Sequence, residues 1–409
     1  MITDPRATSE QPLSPGAESS GTPEKPVRRH WYLRKRWIAL AVVLALLAPV
    51  ADSYARALTG PGTDALSIRS VEWLRTHHLR WLVDDVENWW YSHHKPKKGG
   101  LPSAALQKQL TGGGGPTAGG VTAAPKVVFL PPPAPIHPYV TTPLPGEGQW
   151  RPLGMPVDGV PAMYATYIRP SGVYTSVVAA VAWIDPKLVK AVGYAGAVEP
   201  GGSGWPDQLP IPYSVRPDLL AAFNSGFKLK DSQGGYYDRG RYAAPLRAGA
   251  ATMWIDSGGT LKVGEWGRDV SMSPSIVFAR QNLHLIVDGG RPVPGIEANN
   301  PQQWGFTVAN KVMVWRSGVG ETADGAIVYA AGPYLSAATL ADLLARAGAV
   351  RAMELDINSA WVDFFTYGPA QAGLPPSDLT VSKLLVGMVP STEHYLTASS
   401  RDGIALFGR

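Results

Sequence analysis

Cysteine is absent from all 409 residues. Its absence excludes disulfides, thiol nucleophiles and thiolate-bound metals, and is compatible with export. Histidine is scarce where it would matter. Of eight in the chain, only His284 and His394 lie beyond residue 149, so a His-rich metal site is not indicated and the sequence calls for no cofactor. There is no GxxxxGK[ST] loop to cradle a nucleotide and no GxSxG elbow to present a serine nucleophile. No internal repeat recurs at a solenoid or propeller period. A basic surface is missing too. Residues 151–409 carry 21 Lys+Arg and 21 Asp+Glu, the remaining 16 and 11 precede residue 151, and the whole net charge of +5 therefore sits in the N-terminal part. The basic balance describes a tether, and no nucleic-acid partner is expected.

What is present falls into five stretches. Residues 1–36 are polar, rich in Pro, Ser and Glu, and end in the basic cluster Arg28, Arg29, Arg34, Lys35, Arg36. They read as a disordered cytoplasmic segment. Residues 37–55 read as a signal anchor or signal peptide. Trp37–Ala51 is apolar apart from Pro49, Tyr32, Leu33 and Tyr54 extend it, and Ser53-Tyr54-Ala55 offers small residues for cleavage. Positive charge before the run places the N-terminus inside and the rest outside, either as a single-pass membrane protein or as a secreted one if cut near Ala55.

Residues 60–95 read as a helical stalk, capped by Thr63 or Asp64 and running to about Tyr91, with Trp73, Trp81, Trp89 and Trp90 interspersed. Its pairs His77-His78 and His93-His94 cannot share a helix face, which argues against a metal site. Residues 96–148, with Gly112–Gly115 and Pro131–Pro133, read as a spacer. Residues 149–409 read as the folded domain. Short apolar runs alternate there with turns such as Asp256-Ser-Gly-Gly259 and Asp288-Gly289-Gly290, which predicts an α+β (or α/β) domain with a mixed, β-rich sheet.

The clearest local pattern spans Val312–Trp361. Val312–Trp315 reads as a strand, and Asp324-Gly325 as a hairpin turn before the apolar run 326–331. Ser336 is a good N-cap, with Leu335 and Leu340 placed as a hydrophobic staple. Leu340, Leu343, Leu344 and Ala347 line one helix face, and Gly348 suits the positive-φ position after it. A strand to Asp356 follows. This βαβ unit near 326–356 predicts a parallel pair joined by a crossover, with Asp356 at the carboxyl end of its strand, where open sheets place ligands.

Candidate site residues cluster in three places. Asn224-Ser225-Gly226-Phe227-Lys228 offers an amide, a hydroxyl, a glycine that lets a ligand approach the backbone, and a cation. Arg316 with Ser317 reads as an oxyanion site, the alternative being a salt bridge from Arg316 to Glu321 or Asp324. Glu354, Asp356 and Asp363 are acids near one strand end, with Asp288 and Glu297 in another loop. A pair of carboxylates can hydrolyse a glycosidic bond.

Taken together these stretches resemble the phosphodiester glycosidase family over about residues 220–370. Asn224-Ser225-Gly226-Phe227 stands where that family has an Asn-Gly-Gly-Phe-like turn. Arg316-Ser317-Gly318-Val319-Gly320, followed by Asp324-Gly325, stands for its Arg-Thr-x-x-Gly segment and hairpin. Leu355-Asp356-Ile357-Asn358-Ser359 stands for its Leu-Asp-Gly-Gly-Gly. The resemblance implies a hydrolase that cleaves the bond between a sugar and a phosphate, acting on a sugar phosphate or an envelope glycopolymer. It implies Asp356, Arg316 and Asn224 as catalytic, with Ser317, Lys228, Ser225, Gly226, Asp288 and Asn358 binding substrate. Replacement of the three glycines by Ile357-Asn358-Ser359 favours a rival of another class, a non-catalytic glycan- or envelope-binding module on a membrane tether.

Overall fold

The computed structural model describes residues 29–60, 62, 64–93, 96–112, 127–307, 311–368 and 379–409. The polar stretch before residue 29 and residues 113–115 of the glycine tract lie outside them. Two units are distinguished, Met1–Arg56 and Ala57–Arg409.

The first consists of most of helix α1 (Arg29–Thr59). Within it the 26 residues Arg34–Thr59, with a window of mean hydropathy 2.0, form the one helix among the described residues long and apolar enough to cross a membrane. About 20 residues suffice for a span.

In the second unit the stalk divides into α2 (Leu66–Thr76) and α3 (Arg80–His93). The single helix expected there breaks at His78, whose φ of +61° lies in the left-handed region. Trp81, Val86 and Trp89 of α3 are exposed, while Val83 is buried.

The Gly/Pro-rich stretch does not stand clear of the domain along its described residues. Helix α4 (Ala104–Thr111), capped by Ser103, buries Leu110 completely, and Ile136 is buried beyond it. Arg151 donates to the carbonyls of Gln109 (2.9 Å) and Leu110, and the Leu130 N–H donates to Asp185 (2.7 Å). Single apolar anchors give no periodicity, so composition alone reads such a segment as a spacer.

An eight-stranded antiparallel sheet organises the domain. Its order is Arg151–Pro152, Met163–Ile168, Ala179–Ile184, Ile327–Leu335, Val314–Thr322, Ala349–Glu354, Leu285–Asp288, Arg291–Pro292. A five-stranded sheet contains Leu219–Asn224, flanked by Gly403–Gly408 and Phe364–Gly368. Another is centred on Ile276–Gln281. The large core cluster joins residues of all three, among them Val319, Tyr329, Phe223, Ile404, Met253 and Phe278. Two single-turn helices, α5 (Leu229–Ser232) and α6 (Pro301–Trp304), precede the main one, α7 (Ala337–Arg346).

The α7 unit follows its local signals. The Ser336 hydroxyl accepts from the Thr339 N–H at 3.0 Å, Leu335 and Leu340 share one core cluster, and Gly348 has φ +98°. The helix lies directly on the strand beneath. A Cβ on Gly318 would come within 2.9 Å of a Leu344 methyl and of the Met353 carbonyl. Ser336→Ala is expected to cost about 1 kcal/mol of stability, the usual worth of an N-cap hydroxyl. Denaturant unfolding with an unchanged midpoint would show that the hydroxyl contributes nothing.

Topology differs from expectation in one respect. Ile327–Leu335 and Ala349–Glu354 do run parallel, but they are not neighbours, because Val314–Thr322 lies between them and pairs antiparallel with both. The Asp324-Gly325 turn closes that hairpin locally, so the crossover through α7 must skip a strand. Of the segment Val312–Trp315 only Val314 and Trp315 are extended, and they begin a strand that continues through Arg316, Ser317 and Gly318 to Thr322.

Candidate functional site

Asp356 follows the strand Ala349–Glu354 and is drawn toward Leu219–Asn224 by an irregular ladder. The Leu355 N–H donates to the Ser317 carbonyl, and the Ser317 N–H donates to the Asp356 carbonyl, both at 2.8 Å. Two residues therefore oppose one, as in a β-bulge, a device that re-aims a side chain. The Asp356 carboxylate is buried. One oxygen accepts from the N–H groups of Ile357 (2.8 Å) and Asn358 (2.9 Å), and the other accepts from Arg401 at 3.0 Å. The Asn358 side chain folds back to accept from the Ala360 N–H at 2.9 Å. Its part is to shape the turn that carries the Asp356 carboxylate.

Arg401 lies in the loop before the strand Gly403–Gly408. It also donates to the Gly226 carbonyl (3.0 Å) and stands 5.0 Å from the centre of the Trp361 ring. The Gly226 turn is held from both sides: Arg280 donates to the Phe227 carbonyl, and the Asn282 amide oxygen accepts from the Phe227 N–H at 3.3 Å. Gly226 is small for a packing reason, since a Cβ there would lie 3.1 Å from the Asn282 side chain. Arg280 is in turn paired with Asp402 at 2.9 Å. Lys228 caps α5 and forms an ion pair with Glu72 of α2.

Burial pushes the Asp356 carboxyl up to about 6, against the pull of Arg401 and the two amides. Glu72 is pushed up by burial as well, but Lys228, Arg401 and Arg75 outweigh it, and the net shift is downward.

Asn224 and Ser317 bear on Asp356 from beneath. The Asn224 amide donates to the Ser317 hydroxyl at 3.0 Å, and that hydroxyl accepts from the Asp356 N–H at 3.2 Å. The Asn224 oxygen accepts from the Tyr329 hydroxyl (2.9 Å) and from the Asp363 N–H (3.2 Å). Asn224 is thus a scaffold group whose hydrogen-bonding capacity is spent inside the fold. Asp363 is buried with His394 (2.6 Å) and the Tyr395 hydroxyl (2.7 Å) on its carboxylate. The Ser225 hydroxyl is buried without a hydrogen-bond partner among the described residues.

Two expected members are elsewhere. Neighbouring side chains of a strand point to opposite faces, so Arg316 and Ser317 cannot grip one phosphate together. Arg316 turns away to pair with Glu354 and donates to the carbonyls of Leu335 (2.9 Å), Trp304 (3.4 Å) and Val312 (3.3 Å). Neither Glu321 nor Asp324 is its partner. Asp288 stands opposite Arg351, at the far end of the strand that leads to Asp356, and its carboxylate pairs with Arg268 at 2.7 Å. The guanidinium beside Asp356 is instead Arg401, which the sequence marks only as a charged pair, Arg401-Asp402, before an apolar terminal strand. Among the described residues no group of three or more His, Asp or Glu is arranged to hold a metal ion.

No family model matches the chain, and no curated protein does. Among solved structures it is similar to the catalytic domain of zebrafish N-acetylglucosamine-1-phosphodiester alpha-N-acetylglucosaminidase, auto-inhibited by its pro-peptide. That likeness has 14% identity over 64% of this chain and 88% of that one, with a TM-score of 0.39. It is also similar to a hypothetical protein from Synechocystis, at 13% identity over 63% of this chain and 64% of that one, with a TM-score of 0.36. Both are distant structural relationships, and neither carries a residue's role to this chain.

Proposed function

We propose that this chain is a membrane-anchored extracytoplasmic hydrolase that cleaves the bond between a sugar and a phosphate in a sugar-1-phosphodiester, of the kind found in envelope polymers. The observation that carries the reading is the Asp356 carboxylate, buried and raised to about 6, yet held by three donors, one of them the guanidinium of Arg401. With its oxygens accepting from these donors, Asp356 works ionised, as a nucleophile or as a base that activates water.

As a base, Asp356 takes the proton of the water whose oxygen bonds to the anomeric carbon. As a nucleophile, its own oxygen forms that bond, and water then cleaves the glycosyl ester. In both routes the carbon–oxygen bond to phosphate breaks and the electron pair leaves with the phosphate. A phosphate departs as an anion and needs little help from a general acid, so one carboxylate with cations around the leaving group suffices. Arg401 and Lys228 take the part that the resemblance gave to Arg316 and Ser317, while Asn224 and Ser317 position the Asp356 backbone. With α1 as the anchor and a basic flank before it, the domain faces away from the cytoplasm.

The test is release of free sugar from a panel of sugar-1-phosphodiesters by the full-length protein in detergent. Because Asp356 acts as the anion, kcat/KM is expected to rise about tenfold per pH unit below 6 and to level off above it. A profile that falls through pH 6 would reverse the assigned role, and no sugar release from any substrate would remove it.

A further inference from the structure

We propose that α3 is a foot that lies along the surface of the bilayer, with its exposed apolar face among the lipid headgroups, and that it holds the domain against the membrane. This rests on the reading of α1 as the anchor.

A stalk that only crosses water has no reason to show apolar residues to it. In α3, Trp81 and Trp89 are 59% and 58% exposed, Val86 is 65% exposed and Leu82 39%. At about 100° per residue these four side chains fall on one arc of about 140°. Val83, on the other side of the helix, is buried. An exposed apolar patch marks an interaction site, and tryptophan is a residue that membrane–water interfaces favour. Asp85 is exposed on the same arc, between Trp81 and Trp89. A carboxylate is costly in hydrocarbon, so the helix sits at headgroup level and no deeper. Lys97 and Lys98, exposed just beyond the end of α3, complement anionic lipid at that level.

The way α3 is tied into the chain favours the bilayer over a second copy as its cover. Helix α1 ends at Thr59 and α2 begins at Leu66. A helix leaves its last four carbonyls without partners. Arg69 of α2 donates to one of these, the Leu58 carbonyl, at 3.1 Å, and to the carbonyls of Gly60, Gly62 and Asp64, the last at 2.9 Å. The connection is gathered around one guanidinium, so α2 starts where the apolar helix stops. Residues 77–79 alone then lead into α3. Beyond α3 the chain is bonded to the domain: the Gly99 N–H donates to the Val173 carbonyl at 2.8 Å, and the Gly100 carbonyl accepts from the Thr175 hydroxyl at 2.7 Å. The apolar arc therefore belongs to a helix fixed between the end of the anchor and the domain.

Because the chain has no cysteine, one introduced thiol carries a spin label at one place. The experiment uses the full-length protein in vesicles of mixed zwitterionic and anionic phospholipid. Labels are placed at Leu46→Cys in α1, at Val86→Cys and Trp89→Cys in α3, and at Ser257→Cys in an exposed turn of the domain. Power saturation compares collisions with oxygen, which concentrates in lipid, and with a nickel chelate, which stays in water. Oxygen is expected to dominate at Leu46 and nickel at Ser257. At Val86 and Trp89 the ratio is expected to shift from the Ser257 value toward the Leu46 value. Val86→Cys keeps every tryptophan and decides where the two differ.

A ratio at Val86 equal to that at Ser257, with Leu46 in lipid, overturns the foot and leaves the anchor standing. Exclusion of both reagents from Val86 means that protein covers the face, as a second copy would, and overturns the foot as well. Nickel access at Leu46 itself removes the anchor and the foot with it. Sugar release plays no part in the measurement, so failure of the hydrolase reading leaves its outcome unchanged.

Discussion

Asp356→Asn is expected to lower sugar release by about a thousandfold or more while leaving the fold intact, since the substitution keeps the shape of the side chain and removes the charge that the reaction uses. Stability should move the other way. The Asp356 carboxyl titrates near 6 in the folded chain, above its ordinary value of 3.8, so the native state binds that proton more tightly than the unfolded chain. The ionised form is then a burden that is fully present above pH 6 and fades as pH falls toward 4, about 3 kcal/mol at one pKa unit per 1.36 kcal/mol. Asparagine carries none of it. Thermal melts are expected to place Asp356→Asn above wild type at pH 8, with the gap about halved at pH 5 and nearly closed at pH 4. A variant that keeps full turnover ends the assignment. One that loses activity and cooperative unfolding together makes Asp356 a structural residue instead.

The parts of the molecule legible beforehand are those decided by residues close together in the chain. Ser336, the spacing of Leu340, Leu343 and Leu344, and Gly348 fix α7 through contacts within one or two turns, and Asp324-Gly325 fixes its hairpin in the same way. What local signals do not carry is which strand enters between two others, and so the insertion of Val314–Thr322 escaped the pattern. The site depends on such long-range facts throughout. Asp356 meets Asn224 and Ser317 because two residues oppose one at Leu355-Asp356, and no composition marks that position as a bulge. Its guanidinium arrives from 45 residues further on, within an unremarkable Ser-Ser-Arg-Asp-Gly loop. Glu72 belongs to a helix that composition assigns to a stalk. The acid was the readable half of the site because it ends an apolar strand. Lys228 is legible through the turn at residues 224–228, but Arg401 is not, because Arg316 and Arg401 differ only in which carboxylate the fold brings to them.

That difference can be measured. Arg316→Met is expected to destabilise the protein by about 3–5 kcal/mol, the typical result of removing one partner of a buried ion pair. Glu354 would be left 1% exposed, with one carboxylate oxygen already without a partner among the described residues, and the carbonyls of Leu335, Trp304 and Val312 would lose their donor. Burial already pushes the Glu354 carboxyl up, and Arg316 is what pulls it back. Without that pull the folded pKa rises further, so the penalty is largest at neutral and alkaline pH and shrinks as acid protonates Glu354. The double variant Arg316→Met/Glu354→Leu removes both charges and is expected to recover most of the loss, because an apolar pair of similar volume needs no desolvated ions. A substrate-binding Arg316 makes the opposite forecast: normal denaturant unfolding for Arg316→Met, a raised KM, and no rescue by the second substitution. Its burial against Glu354, on the strand face that Ser317 does not share, is the reason to expect the first outcome.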